Sequence, residues 1–241
     1  DDSISRAFDF LPAMFSFDAN DEDIIASIKS KAPALACFSV YTWNMDRTAR
    51  FCRKLKAAAP GMPIIAGGPG INSDIAANLD FCDIAASGEG ETPFREILRS
   101  FAAPETASHG MREKPFSLPP TEHMDDIPSF WRSPAAANLS GEIFFESARG
   151  CGRGCRFCSF AHTGKRTCST GRIIDDIRDL LSRAKIKDNT RIVFTESRIG
   201  SNPARLAEIL EAIAAANTRR IPLSAYFGAE NIDGDTLRLL G

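Results

Sequence analysis

Short apolar runs alternate with longer amphipathic segments in the first part of the chain. The apolar runs predict buried parallel strands at residues 34–41, 63–66 and 82–86. Apolar residues at helical spacing predict helices at residues 22–31, 47–59, 71–79 and 92–101. Strands that alternate with helices are typical of an α/β fold with a doubly wound parallel sheet. Residues 1–102 are therefore predicted to form one α/β domain.

The pattern changes after residue 102 and restarts near residue 141. Residues 103–140 contain six prolines and few periodic apolar positions, which predicts an inter-domain linker on the surface. The second alternation predicts strands at residues 142–147, 191–194 and 221–227, and helices at residues 172–184, 203–216 and 233–240. Three βα units are fewer than a closed barrel needs, so residues 141–241 are predicted to be the N-terminal half of a (βα) barrel in a longer protein.

Composition and charge narrow the classes of partner. The chain has 44% hydrophobic and 25% charged residues, ordinary values for a soluble globular protein. Its net charge of −2 gives no reason to expect a nucleic acid or an anionic membrane surface as partner. The sequence contains no apolar run of about 18 residues and no recognisable signal peptide. A cytoplasmic location is therefore predicted.

The seven cysteines do not indicate a disulfide scaffold, because their number is odd and no secretory context is present. Cys37, Cys52 and Cys82 lie within apolar element patterns and are predicted to be packing residues. Cys168 precedes a predicted helix. It is predicted to be a core or surface thiol, with a thiol near an active site as the alternative.

The other three cysteines lie within eight residues, in the loop after the first strand of the second half. Cys151, Cys155 and Cys158 have the spacing C-x-x-x-C-x-x-C, and thiolates are ligands for iron–sulfur clusters and for zinc. Three cysteines can bind three irons of a cubane cluster and leave the fourth iron open to a substrate. The alternative is a structural zinc site with Cys168 or His162 as the fourth ligand, although zinc sites usually contain two C-x-x-C pairs or paired histidines.

This segment resembles the radical S-adenosylmethionine (SAM) superfamily in the run 149–151, in the cysteine spacing and in Phe157 before the third cysteine. The resemblance implies a [4Fe-4S] cluster whose open iron chelates SAM, with an electron donor such as flavodoxin or ferredoxin. It also implies that Phe157 packs near the adenine. Glu196, at the end of the second barrel strand, is the candidate for holding the SAM amino group, because a carboxylate pairs well with an ammonium. A helix cap or a solvated carboxylate is the alternative for Glu196.

Three loops follow the predicted strands of the first half, at the sheet edge where open α/β folds bind ligands. Their candidate ligand-binding residues are Ser39, Tyr41, Trp43, Asn44, Gly67, Gly68, Pro69, Gly88 and Glu89. Glycine in such loops permits close approach of a large planar ligand or a phosphate-bearing tail. No G-x-G-x-x-G run opens a helix, so a nicotinamide dinucleotide is not expected.

Together with the run 126–128, these loops resemble the Rossmann-like cobalamin-binding domain that precedes the barrel in one large class of radical SAM enzymes. The resemblance implies a cobalamin-binding domain at 1–102 with its first strand missing. The D-x-H-x-x-G run that ligates cobalt in other cobalamin proteins is absent. Either that run was lost with the N-terminus or cobalt has no histidine below it, in which case Tyr41, Trp43 and Asn44 face the lower side of the corrin. The alternatives are a core position for Trp43 and a ligand-free domain for the whole half.

The resemblances imply a cobalamin-dependent radical SAM enzyme. The expected activity is methyl transfer to an unactivated carbon of a small-molecule or natural-product substrate. A rearrangement or cyclisation with the same cofactors is one alternative. A cobalamin-binding or redox-sensing module without catalysis is the other.

Overall fold

Two parallel three-stranded sheets organise the described part of the chain, one in each of two units, Asp1–Thr121 and Glu122–Gly241. The computed structural model describes residues 2–16, 18–103, 116–133, 136–158, 164–183, 185–187, 189–232, 234, 237 and 238. The parallel α/β architecture predicted from the apolar pattern is confirmed. No helix among these residues is both long and apolar enough to cross a membrane.

The first unit contains one parallel sheet with strand order β1-β2-β3. The strands are β1 (Ala36–Ser39), β2 (Ile64–Gly67) and β3 (Ile84–Ala85). The helices are α1 (Asp2–Ala7), α2 (Asp21–Ser30), α3 (Met45–Ala58), α4 (Ser73–Ala76) and α5 (Glu91–Ala102). The helix predicted at 71–79 is therefore shorter than its apolar spacing suggested.

Both faces of the central strand in the first unit are buried, which explains its continuous apolar run. On one face, Ile64 packs in a cluster with Phe51 and Leu55 of α3. On the other face, Ile65 packs with Ile97 of α5. The sheet is thus held between helices, and its loops are fixed at the carboxyl edge.

The second unit contains a parallel sheet with strand order β10-β9-β5, a short parallel pair β4-β8 and an antiparallel pair β6-β7. The strands are β4 (Asn138–Leu139), β5 (Glu142–Phe145), β6 (Ala148–Arg149), β7 (Arg166–Thr167), β8 (Lys185–Ile186), β9 (Arg191–Phe194) and β10 (Leu223–Ser224). The helices are α6 (Thr170–Arg183) and α7 (Pro203–Ala216), which pack beside each other. Most of the helix predicted at 233–240 lies outside the described residues.

Part of the segment predicted as a surface linker packs into the core of the second unit. Met124 and Trp131 are buried there, and the Trp131 ring stacks on Phe145 at a centroid distance of 5.5 Å. Both residues sit in three-residue 3₁₀ helices, Met124–Asp126 and Phe130–Arg132. Such short turns bury side chains without a periodic apolar pattern, so these contacts could not be predicted from the sequence.

Candidate functional site

The loops after β1 and β2 pack backbone against backbone at the carboxyl edge of the first sheet. The Val40 amide donates to the carbonyl of Gly67 over 2.7 Å, and the Gly70 amide donates to the carbonyl of Val40 over 2.8 Å. Gly68 lies between these bonds with φ +111°, and a Cβ there would be 2.8 Å from the Val40 carbonyl oxygen. Position 68 therefore requires glycine, because any side chain would collide with backbone atoms.

The turn after β1 presents two stacked aromatic rings. Asn44 closes the turn, since its Oδ1 accepts from the Tyr41 amide over 2.7 Å and its Nδ2 donates to the Ser39 carbonyl over 3.1 Å. The Tyr41 and Trp43 rings stack with centroids 4.5 Å apart. Trp43 is 76% exposed, so the alternative prediction of a core aromatic is wrong. The exposed Trp43 ring, stacked on the half-buried Tyr41 ring, offers a flat apolar surface to a planar ligand.

An open cleft of about 350 Å³ lies between the loops after β2 and β3. It is lined by Gly68, Pro69, Ile71, Asn72, Ser87, Gly88 and Ser117. Gly88 has φ +88°, and the half-buried Glu89 follows it. The loop glycines singled out in the sequence thus meet at one sheet edge, as the parallel topology requires. A tight glycine cradle beside a flat aromatic pair fits a large planar cofactor with a polar tail.

Sequence reasoning missed three polar residues of this cleft: Asn72, Ser87 and Ser117. Ser87 and Ser117 are brought together by Phe116, whose amide donates to the Ala85 carbonyl over 2.9 Å and whose carbonyl accepts from the Ser87 amide over 3.0 Å. Ser87 directly precedes the glycine run after β3, and that position could have identified it. Ser117 lies in the proline-rich segment, where no pattern marks a ligand-binding residue.

The loop that carries the three clustered cysteines begins at β6 and returns at β7, and these strands pair antiparallel at its base. Gly150, Gly152 and Gly154 have φ values of +76°, +70° and +68°. Positive φ values at alternate residues curl the backbone tightly from just before Cys151 up to Cys155, a conformation that glycine adopts at little cost. Phe157 is 94% exposed, so its ring is available to cover a ligand.

Cys151, Cys155 and Cys158 are half-buried and not disulfide-bonded. The Cys158 amide donates to the Cys155 carbonyl over 3.1 Å, which turns the loop between them. Within the described ranges, no three His, Cys, Asp or Glu side chains are gathered closely enough to hold a metal ion. His162, a candidate zinc ligand, lies outside the described residues. Three thiols on one loop fit an iron–sulfur cubane in donor chemistry, and this ligand set remains a prediction.

The remaining cysteines have structural environments that differ from one another. Cys52 and Cys82 are buried in the first core, and Cys168 is buried in the second, as expected for packing residues. Burial raises the pKa of the Cys168 thiol, which disfavours its reactive thiolate. Cys37 is exposed, so its predicted packing role is wrong. Its strand β1 lies at the sheet edge, where Ala36 packs against the core cluster and the next residue points to the opposite face.

Glu196 is fully buried just beyond β9. Its carboxylate accepts from Ser147 Oγ over 2.8 Å and pairs with Lys165 Nζ over 2.7 Å and Arg205 Nη1 over 2.9 Å. The alternatives of a helix cap and a solvated carboxylate are both wrong, since Asn202 supplies the N-cap side chain of α7. The predicted contact with a SAM amino group would require one of these partners to move.

Comparison with known proteins supports the assignment of the first unit. Residues 10–98 match the family model of the B12 binding domain. This range contains the β1, β2 and β3 loops and the aromatic pair, so the predicted cobalamin-binding, Rossmann-like sheet is confirmed.

Two curated relatives extend the similarity. Over 199 residues, 73% of this chain, the chain is 29% identical to a 2-(S-pantetheinyl)-carbapenam-3-carboxylate methyltransferase from Streptantibioticus cattleyicolor. Over 247 aligned residues, 90% of this chain, it is 28% identical to the cobalamin-dependent radical SAM methyltransferase TokK from Streptomyces tokunonensis. These alignments cover 28% and 34% of the two relatives, so the chain spans about a third of their length. Residues 10–98 therefore match the B12 binding domain, and the chain is similar to methyltransferases that include a cobalamin-dependent radical SAM enzyme.

Proposed function

We propose that this chain is part of a cobalamin-dependent radical SAM methyltransferase that methylates an unactivated carbon of a small-molecule substrate. The observation that carries the proposal is the order of two features on one chain. A B12-binding domain at residues 10–98 is followed by a cysteine loop at residues 151–158 with C-x-x-x-C-x-x-C spacing. Both relatives are methyltransferases, which favours methyl transfer over rearrangement or cyclisation.

In the second unit, Cys151, Cys155 and Cys158 would hold a [4Fe-4S] cluster through three thiolates. The bound cluster supplies the electron that cleaves SAM, and a small electron-transfer protein such as flavodoxin or ferredoxin would reduce it. The positive-φ glycines let the loop backbone curve around the cluster. The exposed ring of Phe157 would pack on the adenine of SAM and exclude water from that side.

In the first unit, the glycine cradle at the carboxyl edge would hold cobalamin, which supplies a methyl-carrying cobalt when bound. The pair of Tyr41 and Trp43 would lie below the corrin, and Asn44 fixes the turn that presents them. The Gly67, Gly68 and Pro69 loop and the Gly88 and Glu89 loop would flank the cofactor's polar tail in the cleft.

Anaerobic reconstitution of the full-length protein tests the cluster. We expect about four irons and four sulfides per chain, and loss of both in Cys155→Ala. Stoichiometric zinc without iron or sulfide would overturn the proposal. A Cys168→Ala variant is the matched control, because this buried thiol should not affect metal content.

The same preparation, loaded with hydroxocobalamin, tests the chemistry. We expect reductant-dependent 5′-deoxyadenosine and transfer of a labelled methyl group from SAM to product. Formation of 5′-deoxyadenosine without labelled product would instead favour rearrangement or cyclisation. Cobalamin uptake without any 5′-deoxyadenosine would favour a binding or sensing module.

A further inference from the structure

The cysteine loop has a narrow neck, formed by residues 147–149 on the entering side and 165–167 on the returning side. The antiparallel pairing of β6 with β7 closes it, and the Cys168 amide donates to the Ser147 carbonyl over 3.0 Å. Above the neck, a Cβ placed on Gly152 would lie 3.8 Å from Lys165 Cβ, so the returning side runs close to the loop backbone. The geometry of the neck therefore constrains both ends of the loop that carries the three cysteines.

Glu196 joins both sides of this neck from the end of the neighbouring strand. Its Oε2 accepts from the Ser147 hydroxyl on the entering side, over 2.8 Å. Its Oε1 pairs with Lys165 Nζ on the returning side, over 2.7 Å. One buried carboxylate thus bridges two segments that are 18 residues apart in sequence.

The helix after β9 joins the same network. Arg205, in the first turn of α7, donates from Nη1 to both Glu196 oxygens, over 3.1 and 2.9 Å, and from Nη2 to the Ser147 carbonyl over 3.2 Å. Lys165 also donates to Ser201 Oγ over 2.8 Å. The neck is therefore tied to β9 and to α7 by charge-assisted bonds, the stronger class of hydrogen bond.

All acceptor sites of the Glu196 carboxylate are occupied by hydrogen-bond donors. Two carboxylate oxygens offer about four lone-pair sites. Lys165 and Arg205 approach Oε1, while Ser147 and Arg205 approach Oε2, and the side chain is 0% exposed. A ligand ammonium could reach Glu196 only by displacing Lys165, Arg205 or Ser147.

We propose that Glu196 is a positioning residue that fixes the neck of the cysteine loop and does not itself contact SAM. Its link to the cluster rests on the proposed function, whereas its effect on the neck does not. Replacing Glu196 by glutamine would leave two cations, Lys165 and Arg205, without their buried countercharge, a strongly unfavourable arrangement. The neck should then open, and the spacing of the three thiols should become less defined.

Hydrogen exchange of the metal-free, full-length protein tests the neck directly. In Glu196→Gln, we expect the amides of residues 166–168 to exchange at least about tenfold faster than in the wild type, the effect of losing one charge-assisted bond. Glu142→Gln is the control, because Glu142 of β5 also forms an ion pair, with Arg191 of β9, but in an exposed position outside the neck. Unchanged exchange at residues 166–168 in Glu196→Gln would overturn the proposal.

A double-mutant comparison separates positioning from direct binding. Lys165→Met should reproduce the faster exchange, and the double variant should add little, because both changes break one network. After reconstitution, each single variant should broaden the electron paramagnetic resonance signal of the reduced cluster with SAM bound. If Glu196 instead held the SAM amino group, only Glu196→Gln would weaken SAM binding, and Lys165→Met would leave it unchanged.

Two outcomes keep this inference distinct from the proposed function. If the wild-type protein takes up no cluster, the proposed function fails while the exchange comparison still decides the role of Glu196. If Glu196→Gln does not fold, Ser147→Ala replaces it, since that change removes one bond from the entering side and leaves the ion pairs intact. Roughly threefold to tenfold faster exchange at residues 166–168 is then expected. An exchange rate equal to that of the wild type would overturn the proposal.

Discussion

Substitution of Gly68 by alanine should loosen the carboxyl edge of the first sheet. The backbone of Gly68 has φ +111°, a conformation that residues with a Cβ rarely adopt. The added Cβ would lie 2.8 Å from the carbonyl oxygen and 3.0 Å from the nitrogen of Val40. Both atoms belong to the backbone and take part in hydrogen bonds to the 67–70 loop, so neither can move aside alone.

The expected cost combines two effects. Holding alanine in this backbone region costs about 1–3 kcal/mol. Moving Val40 away from the new methyl group weakens its bonds to Gly67 and Gly70, at about 1 kcal/mol each. Because alanine can relieve part of the strain by breaking the contacts, we expect about 2–4 kcal/mol rather than the full sum. A loss of 3 kcal/mol corresponds to roughly a hundredfold change in an opening equilibrium.

Native-state hydrogen exchange on peptides that contain Val40 and Gly70 measures this opening. Gly61→Ala is the matched control, because it lies in the same unit and a Cβ there would meet no described atom within 4 Å. Gly61→Ala should exchange like the wild type or slightly more slowly, since alanine reduces the freedom of the unfolded chain. If Gly68→Ala also exchanges like the wild type, the argument from backbone contact is refuted. Cobalamin uptake should fall in Gly68→Ala and not in Gly61→Ala.

Three further predictions follow from burial. Trp131→Ala should lower the free energy of unfolding by about 3–5 kcal/mol in denaturant titrations. Because Trp43 is exposed, Trp43→Ala should change the free energy of unfolding by less than about 0.5 kcal/mol and should instead weaken cobalamin uptake. Equal losses of stability in the two variants would contradict this reasoning. Burial raises the pKa of Cys52 from 9.0 to about 12, so above pH 9 the unfolded chain loses a proton that the folded chain keeps. The free energy of unfolding should therefore fall between about pH 9 and pH 12, and Cys52→Ala should flatten that fall; identical pH profiles would count against it. In metal-free protein at pH 8, maleimide should label the three loop cysteines before Cys52 and Cys168, as mass spectrometry would show, and equal labelling rates would argue against the burial assignment.

Much of the fold could be predicted because buried strands and helices leave a clear apolar pattern in the sequence. The strand at Arg191–Phe194 and the helix at Pro203–Ala216 have the predicted boundaries. The boundaries of the shorter strands could not be predicted as well. The strand predicted at residues 221–227 shortens to Leu223–Ser224, because an apolar run records burial but does not show where backbone pairing stops.

The candidate cofactor residues could be found because glycine, cysteine and exposed aromatics are unusual at strand ends. The residues that hold these candidates in place could not be found in the same way. Glu196 can be predicted as a candidate from its position after a strand, but its partners Ser147 and Lys165 lie 49 and 31 residues away in sequence and carry no motif. Trp131 was likewise hidden in a proline-rich segment, since its partner Phe145 is recognised only once the chain is folded.

Two side chains proposed to contact the cofactors are exposed, whereas the residues that shape their loops are buried or tightly packed. The side chains of Trp43 and Phe157 are exposed, so truncating either should affect ligand binding with little effect on folding. Glu196 is buried, and Gly68 is pressed against backbone, so changes there act on the shape of the loops before any ligand arrives. Loss of cobalamin or SAM binding in a variant therefore does not by itself identify a contact residue. Only a variant that binds the cofactor poorly while its loop amides keep wild-type exchange rates can be assigned to direct contact.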